Sequence, residues 1–109
     1  MSEHAPLGSF EEQVLLAVLR AGEAYGMAVR REIESATGRD VAIGAVYATL
    51  DRMEAKGLVE SERSGPGERS RRVFAVTQGG ARALAATRAM RERLWQGIDL
   101  RRMLAEGGA

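Results

Sequence analysis

The stretch from Val41 to Glu60 combines a helical stripe, a glycine stop and the beginning of a strand. Its apolar residues recur at steps of three and four, the pattern of a half-buried helix, at Ile43, Val46, Leu50 and Met53. Gly57 follows, where a glycine can end a helix in a left-handed conformation at little steric cost. Leu58 and Val59 then open a strand-like run. This part of the chain is therefore predicted to read helix, stop and strand.

The opposite face of this helix lacks the long charged side chains of an ordinary solvated face. It carries small residues at its N-terminal half, Tyr47 on its flank and charged residues further along: Gly44, Ala45, Ala48, Asp51 and Arg52. A helix that must enter a groove needs small side chains, because they let its backbone approach the partner. The alternative is a surface helix that is alanine-rich only because alanine favours helices.

Two shorter helices are predicted ahead of this one. Ser9 and Glu12 fit a capping box, so the first helix is expected from there to about Ala21, with Gly22 ending it. Its apolar face is predicted at Phe10, Val14, Leu15, Val18 and Leu19. The second helix opens at Tyr25-Gly26, turns Met27, Val29 and Ile33 inward and closes at Thr37-Gly38, with Gly38 as a left-handed cap and Val41 as a minimal strand after it. The second of these helices and the helix that begins near Ile43, whose outer face is poor in polar residues, are joined by a tight turn and form a helix-turn-helix.

The segment after Gly57 reads as a hairpin with a long tip. Turn residues gather at Ser64 to Gly67, and a return strand is predicted from Val73 to Thr77. Its tip and return arm hold Arg69, Arg71 and Arg72 against one acid, Glu68. A hairpin after a helix-turn-helix is a wing, and basic wing tips commonly lie along the phosphates or the minor groove of DNA. The alternative is a charged loop that only keeps the protein soluble.

The last predicted element is a long helix, capped by Thr77 and running from Gln78 to about Leu104. At roughly 25 residues it would be about 38 Å long, more than a small domain covers. Its apolar stripe comprises Leu84, Thr87, Met90, Leu94 and Ile98, with Trp95 at the edge. The stripe needs another surface, and a second copy of the chain is the simplest one. The alternative, packing on the first helix, accounts for part of the stripe, and Gly97 predicts a kink.

Composition argues against an enzyme. The chain has no cysteine, and its one histidine, His4, lies in a polar N-terminal tail without partners for metal binding or catalysis. Gly65-Pro66-Gly67 lacks the lysine and following helix of a phosphate-binding loop. We therefore expect no catalytic residues, no metal and no cofactor. No stretch is apolar enough for a membrane span or a signal peptide, which predicts a cytoplasmic protein. A net charge of +1 means that any DNA contact must depend on how the charges are distributed.

The assembled order resembles the PadR family of bacterial transcriptional regulators, in particular short members with a single C-terminal helix. The matching pieces are FEEQVLLAVL in the first helix, Tyr25-Gly26, the run Ile43 to Glu54, Gly57-Leu58-Val59, and Arg71 to Thr77 with Gly80. The resemblance implies a winged-helix homodimer that binds a pseudo-palindromic operator on double-stranded DNA and usually represses. It also implies that Tyr47 contacts the DNA backbone and that the C-terminal helix dimerises. Many members have proline where this chain has Ala48. Some members respond to phenolic acids or flat aromatic drugs.

We therefore predict a mainly α fold: a winged helix-turn-helix with a two-stranded wing (residues 8–77) and a long C-terminal dimerisation helix (residues 78–105). The candidate DNA-binding residues are Gly44, Ala45, Tyr47, Ala48, Thr49, Arg52, Arg69, Arg71 and Arg72. The candidate dimer interface is Leu84, Met90, Leu94, Trp95 and Ile98. Trp95 is either an amphipathic anchor at that interface or one wall of a site for a small aromatic effector. The competing function is a winged-helix module that binds protein and not DNA.

Overall fold

The computed structural model describes residues 6–67 and 70–107. Its elements follow the predicted order. They are α1 (Ser9–Arg20), α2 (Gly26–Thr37), α3 (Ile43–Ala55), β1 (Val59–Ser64), β2 (Arg71–Val76), α4 (Gln78–Trp95) and α5 (Arg101–Glu106). The two strands pair antiparallel. The prediction of a mainly helical winged helix with a two-stranded wing is thereby confirmed.

One core holds α1, α2, α3 and the wing together. Its buried members include Val14 and Leu15 from α1, Val29 and Ile33 from α2, Val46, Leu50 and Met53 from α3, and Val59 and Phe74 from the wing. The stripe predicted on α3 is therefore the inner face of that helix. Its opposite face is left at the surface. Leu19 and Met27 were predicted to face inward and are exposed, because each lies on the outer side of its short helix.

The helix ends agree with the sequence in part. Gly38 and Gly57 adopt φ values of 71° and 77°, which confirms both as left-handed stops. The predicted capping box is one residue out of place. The N-cap of α1 is Gly8, and its N–H donates to Oε1 of Glu11 over 2.9 Å. Val41 does not form a strand; its N–H donates to Oε2 of Glu34 over 2.8 Å.

The wing is tied to the segment that precedes α2. Val59 pairs with Val76 and Ser64 pairs with Arg71, so β2 begins at Arg71 and ends at Val76. The predicted strand, from Val73 to Thr77, began too late. Beyond this pairing, the N–H of Phe74 donates to the carbonyl of Ala24 over 2.9 Å. The wing is therefore fixed to the helix-turn-helix as well as to itself.

The C-terminal helix begins as predicted and ends earlier. Thr77 caps α4, since its Oγ1 accepts from the N–H of Gly80 over 3.0 Å. Gly80 has no room for a side chain, because the carbonyl oxygen of Leu58 lies against the position that its Cβ would take. The helix ends at Trp95 instead of near Leu104, and Gly97 follows with φ 81°. Gly97 therefore breaks the helix where a kink was expected, and the short α5 follows. Within residues 6–67 and 70–107, no helix is long and apolar enough to cross a membrane.

Candidate nucleic-acid interface

The outer face of α3 is exposed and almost free of bulk. Gly44, Ala45 and Ala48 all lie at the surface, as predicted from the helical wheel. A methyl group added at Gly44 would meet no atom within 4 Å, so nothing in the domain covers that position. Over the first two turns, the backbone of α3 can therefore come close to a partner surface, because no long side chain stands between them.

Tyr47 stands at the edge of this face and is 38% exposed. Its ring covers Gly26, the first residue of α2. The tyrosine therefore bridges the first turns of the two helices while part of it remains open to solvent.

Thr49 does not belong to the exposed face. Its side chain is only 4% exposed, and its Oγ1 accepts from Nη2 of Arg52 over 3.3 Å. On the helical wheel it falls beside the buried stripe of α3. We therefore withdraw Thr49 as a DNA contact.

Arg52 lies further along α3, and its side chain is half exposed. Its Nε lies 3.8 Å from Oε2 of Glu11, and Lys56 lies 3.3 Å from the same oxygen. The pKa of Glu11 is lowered, chiefly because the N–H of Gly8 donates to its carboxylate and then because Lys56 is close. Two cations therefore share one carboxylate, which leaves positive charge at this end of α3.

Arg72 of the wing faces α3. Its Nη1 lies 2.9 Å from Oδ1 of Asp51, its Nη2 lies 2.6 Å from Oε1 of Glu54, and its guanidinium lies over the ring of Phe74. The hydrogen bond from Arg72 to Asp51 is the main reason that the pKa of the guanidinium is raised. Because two carboxylates hold this cation, we revise its role from phosphate contact to neutralising partner of α3.

Arg71 points to the other side of the wing. Its Cζ lies 3.7 Å from the centroid of the Tyr25 ring, a stacked cation–π geometry, and Nη2 lies 2.7 Å from Oε1 of Glu23. Arg31 approaches the same tyrosine, with Nη2 donating to the Tyr25 hydroxyl over 3.1 Å. Sequence reasoning missed Arg31, because an outward arginine on α2 gives no sign of its spatial neighbours. Arg69 lies outside the described residues.

The stripe on α4 divides into a covered part and an open part. Ala83 and Thr87 are buried, and Oγ1 of Thr87 accepts from the N–H of Leu7 over 3.1 Å. Leu84 packs against the domain's own core, so this candidate interface residue is explained without a second chain. Arg91 pairs with Glu12 of α1 over 2.6 Å. One side of α4 therefore packs on its own domain as far along the helix as Arg91.

The open part of the stripe lies at the C-terminal end of α4 and just beyond it. Met90 is half-buried, Leu94 is 72% exposed, and Trp95 and Ile98 are more than half exposed. Apolar residues continue along the chain that follows, at Leu100, Met103 and Leu104, which are also exposed. A run of exposed apolar side chains of this length is the mark of a surface that meets another partner.

Comparison with known proteins assigns this architecture to a family. The family model described as "Transcriptional regulator PadR-like family" matches residues 15–86. The chain is 39% identical over 72 residues to the transcriptional regulator Rv3488 of Mycobacterium tuberculosis, and the match spans 66% of each protein, just under two thirds of that relative.

Two solved structures extend the likeness. RosR of h. salinarum is 29% identical with a TM-score of 0.67, over 93% of this chain and 88% of that one. A PadR family transcriptional regulator from Eggerthella lenta is 26% identical with a TM-score of 0.64, over 78% and 75%. The family match covers the helix-turn-helix, the wing and the start of α4. From these matches and the winged-helix geometry together, the chain belongs to the PadR-like family of transcriptional regulators.

Proposed function

We propose that the protein is a homodimeric repressor that places α3 in the major groove of a pseudo-palindromic operator. The observation that carries this proposal is the bare outer face of α3, where Gly44, Ala45 and Ala48 are exposed beside Tyr47 and Arg52. A recognition helix reads base edges from its N-terminal half, which is where the small residues lie. Repression then follows by exclusion of the polymerase from the occupied promoter.

The wing supplies the backbone contacts in this proposal. Arg71 and Arg69 are the phosphate ligands, while Arg72 cancels the charge of Asp51 and Glu54 next to the groove. Arg71 is stacked on Tyr25 and pairs with one carboxylate, that of Glu23, but it is half exposed, so its cation is held in place and still reaches solvent. Phosphate contacts of this kind fix the register of a protein on DNA without reading sequence.

Dimerisation is assigned to residues 78–105 and DNA binding to residues 8–77. The exposed run of Leu94 and Trp95 at the end of α4 and Ile98 just after it supports this division, because an apolar surface that faces solvent is costly in a monomer. A two-fold dimer would bring the same surface of each chain together. Trp95 is placed in this interface as an amphipathic anchor.

Binding to the DNA upstream of the protein's own gene tests the main proposal. A mobility-shift titration should give a retarded band with that duplex and weaker binding to a scrambled duplex of equal length. In a salt series, Arg71→Gln should make the slope of log K against log salt shallower by about one unit on both duplexes. Arg102→Gln, in α5, is the matched control and should leave the slope unchanged. Equal binding to both duplexes, with no slope change for Arg71→Gln, would favour a protein-interaction module.

Relief by a small aromatic effector is the second candidate, resting on the exposed indole of Trp95. Planar aromatic compounds should quench the fluorescence of this single tryptophan and release DNA if they bind beside it. Trp95→Leu should keep the dimer and lose the release. If parent and variant release DNA alike, the effector site lies elsewhere or does not exist.

A further inference from the structure

The ring of Tyr47 occupies the space that a side chain at Gly26 would take. A Cβ built on Gly26 would lie 2.8 Å from Cε1 of Tyr47 and closer still to Cζ and the hydroxyl oxygen. Gly26 is buried although it begins a helix, and this ring is what lies over it. We propose that Gly26 is a positioning residue for DNA recognition, whose missing side chain seats Tyr47 in its DNA-contacting orientation. This proposal rests on the proposed function of α3.

The contact is steric and involves the far end of a movable side chain. The groups that a new methyl would meet at Gly26 are the tip of the tyrosine ring and not backbone. Tyr47 is 38% exposed, so its ring has solvent into which it can turn. An alanine at Gly26 would therefore displace the ring and leave the helices where they are.

Folding should tolerate that substitution. Gly26 is not among the glycines with positive φ, so alanine adopts its backbone conformation without strain. Alanine also favours a helix over glycine, by about 1 kcal/mol in a helix interior. Gly26→Ala is therefore expected to change the position of the Tyr47 ring without destabilising α2.

We expect Gly26→Ala to lower the affinity for the operator because the ring of Tyr47 is no longer held in one orientation before binding. A seated ring meets the operator in one orientation, whereas a displaced ring must be ordered again or blocks the approach of α3. Immobilising one side chain on binding is enough to lower affinity on the order of tenfold. Gly26→Ala should lower the affinity only through its contact with Tyr47.

A double-mutant cycle tests this dependence. Gly26→Ala should weaken operator binding roughly tenfold in the parent protein and have no further effect in a Tyr47→Ala background. Gly22→Ala is the matched control, because a methyl group there meets no atom within 4 Å. The proposal is overturned if Gly26→Ala binds like the parent, or if it weakens binding equally in both backgrounds.

A spectroscopic measurement follows the ring without DNA. The chain has two tyrosines, so labelling with 3-fluorotyrosine gives two ¹⁹F resonances, and Tyr47→Phe identifies that of Tyr47. Gly26→Ala should move the Tyr47 resonance towards that of free 3-fluorotyrosine. A resonance that stays in place would refute the seating of the ring. If the parent protein shifts no DNA while the resonance moves, the proposed function fails and the steric contact between Gly26 and Tyr47 stands.

Discussion

Nη1 of Arg72 in the wing lies 2.9 Å from Oδ1 of Asp51 in α3. The pair joins the two elements that the proposed function brings to DNA, and Glu54 adds a second carboxylate to the same cation. Without the arginine, α3 would present two negative charges next to a phosphate backbone. The pair therefore compensates negative charge on the side of α3 that faces the wing.

Removal of Arg72 should weaken DNA binding by exposing these carboxylates. Arg72→Ala is expected to fold, because partly exposed ion pairs contribute only about 0–1 kcal/mol. Its affinity for the operator should fall, and the combined change with Asp51→Asn and Glu54→Gln should restore most of it. Fluorescence anisotropy on a labelled duplex measures both. If neutralising the acids recovers nothing, Arg72 contacts phosphate directly, as the sequence first suggested.

Bulk at Ala48 should block operator binding and leave the fold intact. The position is exposed on the outer face of α3, so a leucine there opposes DNA and not the core. Thermal unfolding followed by circular dichroism should match the parent, while the mobility shift disappears. Ala85→Leu, on the exposed side of α4, is the control and should bind normally. An unfolded Ala48→Leu protein would mean that this face of α3 is buried.

A charge at Leu94 should produce monomers. The side chain is 72% exposed in the single chain, so Leu94→Glu loses little within the domain itself. Burying a leucine contributes roughly 1.5–3 kcal/mol, which the dimer would lose at both symmetric positions. Sedimentation should show half the parent mass, together with loss of operator binding. Ala85→Glu adds the same charge on the outer face and should remain dimeric; a dimeric Leu94→Glu protein would exclude this interface.

Glu34 should make stability depend on pH in the acid range. The pKa of Glu34 is lowered from its ordinary value of 4.5, first because the N–H of Val41 donates to it and then because Arg30 is near. A depressed pKa means that the carboxylate stabilises the folded state above about 4.5, and that this contribution is lost as pH falls through the folded-state value. Urea denaturation across that range should show that the free energy of unfolding falls less steeply with decreasing pH for Glu34→Gln than for the parent. Equal slopes would show that Glu34 is not linked to folding.

Local patterns were sufficient to predict the fold. The period of Val46, Leu50 and Met53 predicted the inner face of α3, and glycine stops predicted where α2 and α3 end. The same reasoning failed where the outcome depends on distant neighbours. Arg72 was counted as a free cation because Asp51 and Glu54 are far away in sequence. Arg31 was missed for the same reason, since a wheel gives the direction of a side chain and not its neighbours from other elements. Thr49 was misjudged because it lies at the margin of the buried stripe of α3.

The C-terminal helix was predicted with the least accuracy. Its cap at Thr77 follows from residue type, and its end at Trp95 depends on Gly97 outweighing the helix-favouring residues that follow. Which part of the stripe meets α1 could not be read from periodicity, because covered and open positions share one spacing. The hydrogen bond between Thr87 and Leu7, just ahead of α1, and the ion pair of Arg91 with Glu12 of α1 mark the covered part.

A single threonine hydroxyl joins the end of the recognition helix to the start of α4. Oγ1 of Thr77 donates to the carbonyl of Gly57 over 2.6 Å and accepts from the N–H of Gly80 in the first turn of α4. The end of α3 and the start of α4 are therefore held together at Thr77. In a dimer formed through α4, this joint would tie the direction of α3 to that of α4, so the angle at which two α4 helices cross would influence the spacing of two α3 helices.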